Sequence, residues 1–222
     1  MCEGCAVEIH LSVSEGFQLL FERLLALPEG RRTLVAIAGA PGSGKSTLAD
    51  EIVVRLNERE GRRAAVLPMD GYHFDDGLLR ALGLLDRKGA PDTFDVAGLD
   101  HMLRRLKAND EEAVAVPVFD RNLEVARGAA RLIPRTTDIV VVEGNYLLST
   151  EQPWARLAPL FDLTVLLEVP EPVLRQRLVG RWREYGHTGP EALARAEAND
   201  LPNGRYVRAK SLSPDIVLRT AA

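Results

Sequence analysis

A three-layer α/β/α fold around a mostly parallel sheet is the class this sequence predicts, on three observations. Gly39-Ala40-Pro41-Gly42-Ser43-Gly44-Lys45-Ser46 is a complete G-x-x-x-x-G-K-[ST] loop, preceded by the apolar run Thr33 to Ala38 and followed by Leu48, Ile52 and Leu56 at helical spacing. Further short apolar runs alternate with helical segments, which implies right-handed crossovers and a sheet covered on both faces. The chain has 222 residues, 46% of them hydrophobic, enough to bury one core without disulfides. A single domain over residues 1-222 is expected, with residues 1-11 as a flexible terminus.

In chain order, Ser12 and Glu15 form a capping-box pattern, and Phe17, Leu20, Phe21, Leu24 and Leu25 then mark one apolar helix face, ended by Pro28, Glu29 and Gly30. Strands are expected at Leu34 to Ala38, Ala64 to Pro68, Val114 to Phe119, Ile139 to Val142, Leu163 to Val169 and Ile216 to Leu218. A helix follows Pro170, with Leu174, Leu178 and Trp182 as its stripe. Asn199, Asp200 and Asn203, around a Pro and a Gly, read as turn residues first and candidate ligands second.

The net charge of −4 argues against a sequence-independent grip on nucleic acid. No apolar run approaches a membrane span, and Glu3, Glu8 and His10 stand where a secretory signal needs a basic start and an apolar core, so a cytoplasmic location is expected. Cys2 and Cys5 are the only cysteines; with no second pair to complete a zinc site, they read as a reduced terminus.

In an open parallel sheet the ligand sits beyond the carboxyl ends of the strands, so the chemistry is sought there. The loop from Gly39 to Thr47 points backbone N–H groups at phosphate oxygens, Lys45 reaches the outer phosphates, and Ser46 offers a hydroxyl to magnesium. Asp70, with His73 close behind it, ends the second strand; it is the candidate base for phosphoryl transfer to a hydroxyl, with helix or turn capping as the alternative. Glu143 ends the buried run Ile139 to Val142, where an acid can hold magnesium directly or through water. Arg177 and Arg181 lie four apart on the helix after Pro170, as candidate phosphate-pairing groups of a lid over about residues 171-188 or as a solvated charged face. Asp120 and Arg121 end the third strand, and Asp120 is a candidate for holding acceptor hydroxyls.

The segments GAPGSGKS, PMDGYHFDD, LLDRKGAPDTFD, VPVFDRNLEVA, VVEGNYLL, WREYG and NDLPNGRYV together resemble the phosphate-loop (P-loop) kinase superfamily of uridine kinase, phosphoribulokinase and bacterial pantothenate kinase. The nearest likeness is to a bacterial branch of nucleoside-kinase-like, fructose transport-associated kinases. The resemblance covers the chain from Leu34 onward. It implies a P-loop NTPase fold with a helical lid, ATP as donor, magnesium as cofactor and a small hydroxyl-bearing acceptor, with Asp70 as base and Lys45 bridging the phosphates. It would place the acceptor near His73, Asp120 and Arg121, the lid around Arg177 to Arg183, and adenine near Ser213 and Pro214. This chain reads DGYH where uridine kinases favour D-S-F-Y, and FDR where they carry a tyrosine before Asp, which argues against uridine itself. A sugar such as fructose, a nucleoside and a pantothenate-like alcohol remain open as acceptors. A nucleoside monophosphate kinase and a nucleotide-dependent switch are the alternatives in other classes. The acidic base beside the acceptor weighs against the first, and the absence of a guanine-reading N-K-x-D loop against the second. A homodimer stays open beside a monomer.

Overall fold

The computed structural model describes residues 13–28, 30–59 and 63–219; the capping residue Ser12 and the expectations for Cys2, Cys5 and His10 lie outside them. The elements run α1 (Val13–Leu25), β1 (Thr33–Gly39), α2 (Lys45–Asn57), β2 (Ala64–Pro68), α3 (Asp76–Leu82), α4 (Val96–Ala108), β3 (Ala113–Asp120), β4 (Val125–Pro134), β5 (Ile139–Gly144), β6 (Leu163–Glu168), α5 (Glu171–Glu184), α6 (Gly189–Arg195), α7 (Leu201–Lys210) and β7 (Ile216–Arg219). Five strands form the sheet in the order β2-β5-β1-β6-β7, every pairing parallel.

Burial on both faces explains why β1 and β5 are continuous apolar runs rather than alternating ones. Side chains still alternate along each strand, so the two faces feed two cores. Leu34, Ala36, Val140 and Val142 pack with Leu99 and Leu103 of α4 and with Trp154. Val35, Ile37 and Val141 face Leu20 and Phe21 of α1 and Ile52 of α2. Helix, sheet and helix make the three layers the sequence predicts. Among the described residues no helix is long and apolar enough to cross a membrane.

The third expected strand is not in this sheet. β3 pairs antiparallel with β4, which the apolar pattern did not reveal, and the two form a separate hairpin. Most of β4 is exposed, so Arg127-Gly128-Ala129-Ala130-Arg131 carries no core-facing alternation to betray a strand. Pro117 supplies the sequence cue that was available: it sits in β3 between Val116 and Val118, where the register shifts, the place a ladder tolerates a residue with no N–H.

Two arginines fasten the hairpin to the body. Arg131 donates to the Val66 carbonyl of β2 at 2.6 Å, and buried Arg32 donates to the carbonyls of Thr137, Leu106 and Pro134 at 3.0, 3.2 and 2.5 Å. β3 also presses on the turn Met69–Tyr72 after β2: a Cβ at Gly71 would lie 2.7 Å from the Pro117 carbonyl oxygen. That contact is with backbone, which cannot rotate away. Gly71→Ala is therefore expected to cost about 1–3 kcal/mol through overpacking, read as a lowered thermal midpoint, and to displace Asp70, its neighbour in the turn.

Candidate active site

The carboxyl ends of β1, β2 and β5 converge because the strands are parallel and in register: Ala38 pairs with Gly144, and Pro68 with Glu143. The loop after β1 thereby lies beside the acids that follow β2 and β5. Gly42 and Gly44 adopt φ of 77° and 93°, a region that side-chain-bearing residues rarely enter, and this folds the loop tightly ahead of α2. Gly44 caps α2 without any side-chain hydrogen bond, which leaves the first N–H groups of the helix for an anion. At Gly39 a Cβ would meet Ser43 Oγ at 2.6 Å, and Ser43 Oγ itself is buried with no hydrogen-bond partner among the described residues. These are the features of a phosphate cradle, and they fit the nucleotide the motif calls for.

Ser46 Oγ donates to Glu143 Oε2 at 3.0 Å, so the loop hydroxyl and the strand-end acid form a pair. Burial pushes the Glu143 carboxyl up; Asp70 adds to this, while Lys45 and the Ser46 hydroxyl oppose it. A buried acid bonded to the loop hydroxyl is a fit for a divalent ion. Among the described residues no group of three or more His, Cys, Asp or Glu gathers as a metal cage. A magnesium ion here would thus take Ser46 and Glu143 from the protein and its remaining ligands from phosphate and water.

A cleft of about 730 Å³ joins Lys45 of the loop to Asp70, His73, Arg121 and Arg181. Asp70 sits in the short turn after β2 and is ion-paired with Arg121. Burial pushes its carboxyl up, but His73, Arg121, Lys45 and Arg181 together outweigh that and hold it below the usual carboxylate range. His73 packs against Phe94 and Phe119 with ring centroids 4.0 and 4.8 Å away. Its Nδ1 lies 2.8 Å from the Asp70 carbonyl oxygen, which can only accept, so Nδ1 carries the proton and Nε2 is left as an acceptor. Burial lowers the His73 pKa, against the pull of Asp70.

Arg177 and Arg181 of α5 part company. Arg177 donates to the loop carbonyls of Gly42 and Ser43 at 3.3 and 3.2 Å, while Arg181 reaches into the cleft and pairs with Asp200 at 3.1 Å. Leu174 and Leu178 of α5 are buried with Ala40, Ala196 and Leu201, so this part of the helix is seated on the loop. Arg181→Ala removes a charge-assisted contact worth about 1.5–3 kcal/mol and is expected to lower turnover roughly tenfold to a hundredfold. Unchanged turnover would return the residue to a purely structural pairing with Asp200.

Three sequence expectations are corrected here. Asp120 does not join the cleft: its carboxylate accepts the N–H groups of Asn122 and Leu123 at 3.1 and 3.2 Å and pairs with Arg127 at 3.4 Å, because it caps the hairpin turn. Asn199, Asp200 and Asn203 are helical rather than in a turn; a π-helical stretch, Ala196–Asp200, runs straight into α7. All three line the cleft, and Trp182 Nε1 donates to Asp200 at 2.7 Å. Ser213 and Pro214 precede β7, which runs parallel to β6, so they lie at the opposite end of the sheet from the loop. The space flanking the loop, about 440 Å³, is instead lined by Thr47, Glu51, Val169, Arg177 and Leu218. Sequence reading also passed over Asn145, next to the Glu143-Gly144 pair. It lines the cleft, and its buried Oδ1 has no hydrogen-bond partner among the described residues. Its position just beyond a buried strand was the available signal.

Known proteins are similar to this chain in sequence and fold. The family profile described as "Methylmalonyl Co-A mutase-associated GTPase MeaB" matches residues 7–77, less than half of the chain and the part that holds the phosphate loop. "Putative uridine kinase C227.14" of Schizosaccharomyces pombe is 31% identical over 225 residues, covering 96% of this chain and 94% of its own. The pantothenate kinase of Sorangium cellulosum is 29% identical over 79% of this chain and 58% of its own length. Among solved structures, a "putative fructose transport system kinase" from Silicibacter sp. TM1040 is 41% identical with a TM-score of 0.86, over 90% of this chain and 98% of the other. Loop, strand-end acids and full-length similarity agree: the chain belongs to the P-loop kinase superfamily of uridine kinase, pantothenate kinase and phosphoribulokinase.

Proposed function

We propose that the chain transfers the γ-phosphoryl group of ATP to a hydroxyl of a small uncharged metabolite, a sugar or a nucleoside. The observation that carries this reading is Asp70, an ionised carboxylate in one cleft with Lys45 of the phosphate loop. Asp70 orients the acceptor hydroxyl and takes its proton as the acceptor oxygen bonds to the γ-phosphorus and the bond to the β,γ-bridging oxygen breaks, releasing ADP. Lys45 and Arg181 supply positive charge to the phosphate oxygens. Magnesium, when bound, would add charge to the same oxygens, held by Ser46 and Glu143. His73 Nε2 and Asn145 Oδ1 offer acceptors to further hydroxyls. Thr47, Arg177 and Leu218 wall the space suited to the adenosine of the donor.

An uncharged acceptor is favoured by the charge pairing of three of the five cations that line the cleft, with Lys45 assigned to the donor phosphates and Arg195 stacked on Trp182. Lys88 is matched by Asp76 at 2.7 Å and Glu124 at 3.5 Å, Arg121 by Asp70, and Arg181 by Asp200. Asp86 adds a further acid to the wall. A phosphate or carboxylate on the acceptor would have to displace these carboxylates, whereas hydroxyls can bond to both members of each pair. The similar putative uridine kinase carries the name of an uncharged acceptor, while the similar pantothenate kinases carry the name of a carboxylate, so the preference here rests on the charge pairing.

The test is ADP formation from Mg-ATP against a panel of sugars, nucleosides, pantothenate and nucleoside monophosphates, with Asp70→Asn as blank. Acceptor-dependent turnover confined to uncharged sugars or nucleosides, and lost in the variant, is the expected result. Turnover on a monophosphate would select the nucleotide kinase reading. Slow ADP release indifferent to every acceptor and to Asp70 would select the switch.

A further inference from the structure

We propose that Arg121 is a latch that masks Asp70 until an acceptor arrives, so that the base is withheld from water in the absence of acceptor. The inference rests on Asp70 being the base, as proposed above.

Arg121 sits in the turn between β3 and β4, and its side chain is 50% exposed, yet it reaches back to pair with an Asp70 side chain that is only 20% exposed. Its guanidinium also lies 5.1 Å from the Phe119 ring centroid, which fixes the approach. The other end of the turn is tied down separately: Lys88 Nζ donates to the Glu124 carbonyl at 2.8 Å, pairs with its carboxylate at 3.5 Å and bonds Asp76 at 2.7 Å. Both ends of the turn are therefore pinned across the mouth of the cleft. These pins are polar and reach the cleft wall, so hydroxyls of an acceptor can replace them one for one. The hairpin is a separate two-stranded sheet, so its tip can shift without breaking the main sheet.

The consequence is chemical. A carboxylate placed to take a proton from an acceptor hydroxyl can equally take one from water. The water oxygen then bonds to the γ-phosphorus as the bond to the β,γ-bridging oxygen breaks, giving ADP and phosphate, and the proton on Asp70 leaves to solvent. With Arg121 on Asp70 Oδ2, the guanidinium stands over one side of the carboxylate and its charge makes that oxygen a weaker base toward water. An acceptor that bonds to Arg121 draws the guanidinium off and exposes the base only when the correct nucleophile is present.

Two measurements test the latch on the full chain, comparing wild type, Arg121→Met, Asp70→Asn and the double variant. In Mg-ATP without acceptor, Arg121→Met is expected to raise ADP release about tenfold, the size of one charge-assisted bond, and the double variant to fall back to the Asp70→Asn rate. In the ligand-free chain, hydrogen exchange over residues 120–127 is expected to quicken equally in both single variants, with no further gain in the double, because each breaks the same pair. The latch is overturned if Arg121→Met binds Mg-ATP normally but hydrolyses it no faster than wild type, if the increase survives in the double variant, or if the exchange effects add. Failure of the wild-type chain to bind Mg-ATP would overturn the kinase reading, and the latch with it.

Discussion

Asp70→Asn is expected to lower acceptor-dependent turnover by about 10²–10⁴-fold, the usual worth of a general base, while ATP affinity changes little. The substitution keeps the side chain's shape and removes its charge and basicity, and the loop residues that hold the donor are elsewhere. Steady-state kinetics with a nucleotide titration separate the two effects. Near-normal turnover in the variant would remove Asp70 from the base role. The same assignment sets a pH dependence. Asp70 works when ionised, and its neighbouring cations hold its pKa below the usual carboxylate range. Read as kcat/KM, which reports the free enzyme with Arg121 in place, activity should therefore persist as pH falls through the ordinary carboxylate region and be lost only below it. An acid limb at or above the ordinary Asp range would contradict the environment found around this residue.

Lys45→Ala is expected to weaken ATP binding roughly tenfold to a hundredfold, the loss of a charge-assisted contact of about 1.5–3 kcal/mol, and to reduce turnover as well. Lys45 opens α2 and faces the cleft that holds Asp70, so its ammonium serves both the bound phosphates and the charge that moves during transfer. Its contribution spans ground state and transition state, which distinguishes it from Asp70. Titration of the variant with ATP, followed by turnover at saturating nucleotide, resolves the two parts. A variant with unaltered affinity would show that the backbone cradle alone carries the phosphates.

The hairpin shows why some of this molecule was hidden from its sequence. β4 is a strand because its backbone pairs with β3 and Arg131 reaches Val66, not because its own residues prefer a half-buried face. Asp120 and Arg121 looked alike as a polar pair after a strand. Their neighbours separated them, one turned into the hairpin cap and the other into the cleft. Around Leu201 the punctuation misled: Pro202 follows directly on the π-helical stretch Ala196–Asp200, where the regular hydrogen-bond ladder is already interrupted and a residue with no N–H is tolerated, and Gly204 lets that helix approach Ala40, 3.2 Å from where a Cβ would be. The direction of β7 moved the expected adenine residues to the wrong end of the sheet.

The phosphate loop, the five parallel strands and the acids at their ends were all determined by the sequence, because each depends on residues close together in the chain: a glycine spacing, an apolar run, a helical period. Which polar side chains share one cleft was decided only by tertiary structure. Asp70, Arg121, Arg181 and Asp200 come from four separate segments, and the ion pairs that set their charge and exposure exist only once sheet, hairpin and lid have packed together.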